Sequence, residues 1–146
     1  MLRRASTDDI VAIVDIFREA RAVAMPWLPV LHTADEQRAF FGRLLDDGHE
    51  LWVVEVADHV AGFAAMHEGF LNHLYISPEH QRRGIGDSLF ARAKESMPSG
   101  FRWYVFQENR GARCFYEARG GVVLEFRDTG SEEQLPDALY EWRPAT

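Results

Sequence analysis

The chain has 146 residues, 47% of them apolar and 27% charged, a length and composition that suit one ordered domain spanning residues 1–146. Its net charge of −7 argues against nonspecific binding to nucleic acid or to an anionic membrane. No apolar run approaches the roughly 20 residues of a membrane span. Cys114 is the single cysteine, so no internal disulfide forms, and Met1-Leu2-Arg3-Arg4 leads into polar residues rather than a secretory core, so the expected location is cytoplasmic.

Leu2 to Ala5 reads as a short first strand. Ser6 with Asp9 makes an N-terminal capping pair, and Ile10, Val11, Val14, Phe17 and Ala20 recur at helical spacing until about Ala24. Pro26 and Pro29 stop that helix. Thr33 with Glu36 forms a second capping box, Phe40, Phe41, Leu44 and Leu45 form the expected buried stripe, and Gly48 ends the helix. The texture then changes to strands: Leu51 to Val56 and Val60 to Met66 bracket a hairpin turn, and Phe70 to Ile76 makes a third strand after Glu68-Gly69. A helix carrying Ile85, Leu89, Phe90, Ala93 and Met97 runs to Pro98-Ser99-Gly100. Phe101 to Phe106 is aromatic along most of its length, which predicts a strand buried on both faces. Asn109 opens a last helix that turns Ala112, Phe115 and Tyr116 inward and closes at Gly120-Gly121. Val122 to Phe126 and Ala138 to Trp142 are the final strands, with a polar loop between them. The order predicts an α/β fold: a mixed, mostly antiparallel sheet of six to seven strands with helices on both faces.

Gln81-Arg82-Arg83-Gly84-Ile85-Gly86 stands where the third strand gives way to a helix. Glycine permits positive φ and close approach of a ligand to bare backbone. A helix start presents unpaired N–H groups and the positive end of the dipole, a site for a phosphate or pyrophosphate. A P-loop requires a Gly-Lys pair, and the chain has none. A dinucleotide fingerprint requires a third glycine at position 89, which is leucine.

The segment Gln81 to Gly86 resembles the Q/R-x-x-G-x-G/A signature of the GNAT N-acetyltransferases, which bind acetyl-coenzyme A. Leu74-Tyr75-Ile76-Ser77-Pro78-Glu79 resembles the strand before that signature, and Asn109, Ala112, Tyr116 and Gly120 are similar to the family's N-x-x-A-x-x-x-Y-x-x-x-G segment. The element order agrees with that fold over nearly the whole chain. The resemblance implies that backbone N–H groups from Arg82 through Arg83, Gly84, Ile85 and Gly86 to Asp87 hold the pyrophosphate, with glycines 84 and 86 allowing close approach. Arg82 and Arg83 either touch phosphate or are solvated surface charges. It implies that the pantetheine arm pairs along Leu74, Tyr75 and Ile76 as an extra strand would, that a strand amide polarises the thioester carbonyl, and that Asn109 contacts the cofactor besides capping its helix.

By the same resemblance Tyr116 is the general acid that protonates the departing thiolate; the alternative is a buried aromatic stacked on Phe115. No base emerges. Alignment through Gly84 and Gly86 puts Phe70 where some family members carry a glutamate, and strand alternation groups Phe70 with Asn72, Leu74 and Ile76. Asn72 can orient a water but cannot act as a base, and Glu68, His32, His67 and His73 are the other candidates. Trp27 and His32, in the proline-stiffened segment Met25 to His32, are expected on the acceptor side of the cleft, or else in a loop that merely covers the core. The six histidines show no metal spacing. The expected activity is therefore transfer of acetyl from acetyl-coenzyme A to a primary amine by direct attack in a ternary complex. A small-molecule acceptor is expected ahead of a protein lysine or N-terminus, and a non-catalytic acyl-coenzyme A sensor is the competing class. The last two strands are compatible with a homodimer.

Overall fold

The computed structural model describes residues 1–145. Its strands are β1 (Leu2–Arg4), β2 (Glu50–Val56), β3 (His59–His67), β4 (Phe70–Ile76), β5 (Phe101–Phe106), β6 (Val122–Arg127) and β7 (Asp137–Trp142). Its helices are α1 (Ile10–Ala24), α2 (Ala34–Asp46), α3 (Ile85–Ser96) and α4 (Arg110–Glu117). The seven strands form one sheet in the order β1-β2-β3-β4-β5-β7-β6. Every neighbouring pair is antiparallel except β4 and β5, which run parallel with α3 as their crossover. The mixed, mostly antiparallel sheet expected from the sequence is present.

Local chemistry accounts for the elements. Both capping boxes form: Ser6 with Asp9, and Thr33 with Glu36, where the Thr33 hydroxyl accepts from the Glu36 N–H at 3.1 Å. Gly48 ends α2 at φ +83°, a conformation that costs other residues ~1–2 kcal/mol. Ala57-Asp58 and Glu68-Gly69 take positive φ at both positions, the backbone that a two-residue hairpin turn requires between twisted strands.

Each face of the sheet has its own core. Ile13, Val14 and Phe17 of α1 and Phe41 and Leu44 of α2 pack on Leu51, Val53 and Phe63. Leu89, Phe90 and Ala93 of α3 and Tyr116 of α4 pack on Ala64, Trp103 and Tyr140 on the opposite face. Side chains as fully buried as Phe41, Phe63 and Phe90 contribute ~1.5–3 kcal/mol each. Among the described residues no helix is long and apolar enough to cross a membrane.

Three local expectations change. Strand β5 is buried on one face only: Phe101, Trp103 and Val105 are inside, while Arg102 and Tyr104 are exposed. Phe40 is 40% exposed, because the outer face of its helix borders an open cleft rather than core. Alternation along β4 is broken by a bulge, since Ala65 pairs with His73 but Met66 pairs with Leu71, leaving Asn72 as the extra residue. Leu71 therefore shares the α3-side core with Leu74, while Tyr75 packs on the other side.

Candidate active site

The parallel strands β4 and β5 form a fork. Their ladder consists of one rung, Phe70 opposite Arg102, backed by a 2.9 Å bond from the Arg102 N–H to the Gly69 carbonyl. Beyond it β4 stays with β3 while β5 pairs along its full length with β7, so the two strands part. A cavity of about 250 Å³ opens between them, lined by Leu71 to Tyr75 on one side, Trp103 to Phe106 on the other, and Asn109, Ala112 and Tyr116 from α4. The β4 edge facing this cavity has unpaired backbone groups past Phe70, which an extended chain can pair as an added strand.

At the far end of β4, Gln81 donates to the Ile76 carbonyl at 3.2 Å and pins the glycine turn to the strand. Arg82 and Gly84 both take positive φ, +64° and +77°. The first intrahelical bond of α3 runs from the Ser88 N–H to the Gly84 carbonyl at 3.1 Å, so the N–H groups of Ile85, Gly86 and Asp87 have no acceptor within the helix. A Cβ at Gly84 would meet nothing within 4 Å, so the turn is open on that side. Arg82 and Arg83 are exposed beside it.

These features fit coenzyme A: free N–H groups at a helix start for the pyrophosphate, flanking cations, and an unpaired strand edge for the amides of the pantetheine arm. Leu74, Tyr75 and Ile76 would hold the arm through their backbone, since the Leu74 and Ile76 side chains pack on the α3-side core. Gly86 has a packing role besides the one expected. A Cβ there would lie 2.8 Å from Cε1 of Phe115, so glycine at 86 also lets α3 pack closely on α4. The Asp87 side chain turns toward α4, bonded to Arg119 at 2.5 Å, and that guanidinium holds its carboxyl below the usual range. Its backbone N–H remains at the helix start.

Tyr116 is buried on α4 against Trp103, ring centroids 4.9 Å apart, and lines the fork cavity. Burial, with a smaller push from Tyr75, raises its phenol well above the ordinary value, so it stays protonated at neutral pH. Asn109 caps α4 through a 3.3 Å bond from the Ala112 N–H, and its amide nitrogen lies 3.4 Å from the Met25 sulfur.

A second, larger cavity of about 910 Å³ lies on the α1–α2 side of the sheet. Phe17, Phe40, Phe41 and Tyr75 line it, as does His32, which pairs with Glu132 of the β6–β7 loop. Glu133 of the same loop bonds Arg21 at 3.0 Å, so two contacts tie the loop across the cleft. Asn72, the bulge residue, lines both cavities. Trp27 does not line the cleft, although Leu28 to His32 of its segment do; it stands edge-on against Phe106 at 5.9 Å. Burial, then Arg21 and His49, lower His73 to a pKa of about 3, which removes it as a base at neutral pH. Glu68 sits in the β3–β4 turn with φ +48° and is no strand residue, so it does not continue the strand face as a base would need to. Among the described residues no group of three or more His, Cys, Asp or Glu side chains is placed to hold a metal.

Sequence reasoning missed Tyr104, Phe40 and the loop acids Glu132 and Glu133. Arg102 between two aromatics was the available signal for Tyr104: a charged residue at 102 puts 104 on the same open face. No local pattern indicates that residues 132 and 133 meet residues 32 and 21.

Comparison with known proteins agrees with this arrangement. A family model described as acetyltransferase (GNAT) domain matches residues 47–120. The chain is 28% identical over 145 residues to the peptidyl-lysine N-acetyltransferase YiaC of Escherichia coli K12, covering 97% of this chain and 96% of that protein. The PaiA N-acetyltransferase of Thermoplasma acidophilum, solved in complex with coenzyme A, shares the fold with a TM-score of 0.76 at 17% identity, over 99% of this chain and 98% of that one. The yncA protein of Salmonella typhimurium, solved with its cofactor acetyl-CoA, does so with a TM-score of 0.75 at 18% identity, over 98% and 92% of the chains. The matched region runs from the strands before the fork through the glycine turn to the end of α4, and the chain therefore belongs to the GNAT acetyltransferases, enzymes whose acetyl donor is acetyl-CoA.

Proposed function

We propose that this protein acetylates the side-chain amine of lysine in a polypeptide, by direct attack in a ternary complex with Tyr116 as general acid. The observation that carries the reading is the meeting of two cavities: a narrow one beneath the β4–β5 fork and a wide one walled by α1, α2 and the β6–β7 loop. The wide cavity is bordered by Val30, Leu31 and Phe40, which are 72%, 47% and 40% exposed, an apolar rim that suits a polypeptide surface. The similarity to YiaC over nearly the full length of both chains supports the same acceptor class.

Acetyl-CoA bound in the fork would supply the acyl thioester, and the β4 edge would offer its carbonyl a backbone donor. The bulge leaves Asn72 without a partner in the β3 register, and a backbone N–H at this edge would stabilise the negative charge that grows on the carbonyl oxygen. The N–H groups of Arg82 to Asp87, with Arg82 and Arg83 beside them, would hold the pyrophosphate, and Asn109 would add a contact at the start of α4. Tyr116, protonated and in the fork cavity, gives its proton to the leaving thiolate. A small primary amine is the second reading. The cleft volume of about 910 Å³ falls within the range of small-ligand pockets, and the two loop contacts narrow its mouth.

Thiol release from acetyl-CoA, measured against lysine peptides, N-terminal peptides and small amines, with mass spectrometry to locate the acetyl group, tests the proposal. Acetylation on lysine Nε is the expected result. Turnover confined to small amines overturns it in favour of the second reading. Tight acetyl-CoA binding without any turnover would make the protein a sensor.

A further inference from the structure

Six residues line both cavities: Met25, Asn72, His73, Tyr75, Tyr104 and Phe106. They mark the place where an acceptor in the wide cavity meets an acyl group in the fork. None carries a carboxylate. His73 is held neutral, and burial keeps the Tyr75 phenol protonated.

Tyr104 is set apart by exposure and by support. It is 46% exposed, and its ring stacks on Phe70 with centroids 6.1 Å apart and planes 16° from parallel. The Arg127 guanidinium lies over the same ring at 4.0 Å. Arg127 is itself fixed by bonds of 2.8 and 2.6 Å to Asp137, a carboxylate buried at the start of β7. A ring gripped from Phe70 and from Arg127 has little rotamer freedom left, which suits a group that must present its oxygen at a defined point. Phe70 occupies the position at which the sequence offered no base, and the structure gives it the task of holding a phenol.

We propose that Tyr104 is a catalytic residue that accepts a hydrogen bond from the acceptor amine at the junction of the two cavities and turns the nitrogen lone pair toward the acyl carbon. Phe70 and Arg127 are positioning residues for its ring. The inference rests on the amine-acetylation reading above. An alkylammonium, with a reference pKa of about 10.4, first gives one proton to cleft water. The nitrogen then forms the N–C bond as the C–S bond breaks, and the thiolate takes the Tyr116 proton. The second amine proton leaves through water along the Tyr104 contact and restores Tyr116. One proton is released per acetyl group transferred.

The test is Tyr104→Phe, which keeps the ring and its stacking, assayed with acetyl-CoA and a panel of lysine peptides and small primary amines. The expected result is a fall of at least tenfold in kcat, with the acetyl-CoA Kd within twofold of wild type and Tm unchanged. Phe70→Leu should lower kcat in the same sense and Phe70→Tyr should retain it. A Tyr104→Phe enzyme within twofold of wild type on every amine overturns the assignment, as does a loss traceable to weaker acetyl-CoA binding or lowered Tm. A tenfold loss on small amines, with lysine peptides inert even for wild type, sinks the lysine reading and leaves Tyr104 in place. Wild-type protein that acetylates no amine overturns both.

Discussion

Phe70, which pairs with Arg102 in the one β4–β5 rung among the described residues, stacks on Tyr104 two positions further along β5, their rings 6.1 Å apart and within 16° of parallel. The contact closes the crotch of the fork with two aromatic rings at the point where the ladder ends. Past this point the backbone of β4 has no partner on that side, and the bulge at Asn72 follows two residues later. The same strand thus supplies an aromatic stop, a bulge and an open edge, in that order, toward the glycine turn.

The two glycines of that turn should respond differently to substitution. Gly84→Glu fills the open side of the turn with a charged side chain, so acetyl-CoA binding should be lost while the protein still folds. The strain at φ +77° would lower stability by only ~1–2 kcal/mol. Gly86→Ala sets a Cβ 2.8 Å from the Phe115 ring, and overpacking of that kind costs ~1–3 kcal/mol. Chemical denaturation alongside calorimetric titration with acetyl-CoA separates the cases: Gly86→Ala should lose more in stability, and Gly84→Glu in affinity. Equal effects on both quantities would contradict the distinct roles assigned here.

Tyr116→Phe removes the proton donor and keeps the packing against Trp103. A fall of about 10²–10⁴ in kcat is expected, with acetyl-CoA binding retained. Because burial raises this phenol above its ordinary value, the folded state retains the proton where the unfolded chain would release it. The corresponding stability is fully present below pH ~10 and is lost as pH climbs above that value. Tyr116→Phe should therefore flatten the alkaline limb of a stability–pH curve. A kcat within a few-fold of wild type would assign the acid role elsewhere.

His73 provides the acid-side counterpart. Its folded pKa of about 3 lies below the ordinary histidine value, so the unfolded chain binds a proton that the folded one refuses. Stability from this group is present above pH ~6.5 and falls as pH drops toward 3, at up to ~1.4 kcal/mol per pH unit. Urea denaturation at pH 7 and pH 5 should show a smaller loss for His73→Asn than for wild type. The acetylation rate on the acid limb should follow the amine and not this imidazole, since His73 stays uncharged in the working range.

Much of the molecule is readable in the chain itself. Caps at Ser6 and Thr33, positive-φ turns at Gly48 and Gly69, and apolar periodicity set the order and type of nearly every element, because these are interactions between residues a few positions apart. The glycine turn and the Asn109 to Tyr116 helix likewise carry their chemistry in contiguous residues.

Three matters were settled only when distant segments met. Gly86 gained a packing role because Phe115, from another helix, occupies the space a Cβ would need. Trp27 left the cleft for Phe106. Tyr104 became a site residue because β4 and β5 share one rung and then part, which exposes one face of a strand whose composition reads as wholly buried. What the amino-acid sequence determined alone was the fold and the acetyl donor, both written in short-range patterns. The junction of the two cavities was decided by tertiary structure, because it is assembled from Met25 at the end of α1, β4 and β5 and bounded by a loop whose Glu132 is 100 residues from the histidine it holds, and no local interaction specifies that meeting.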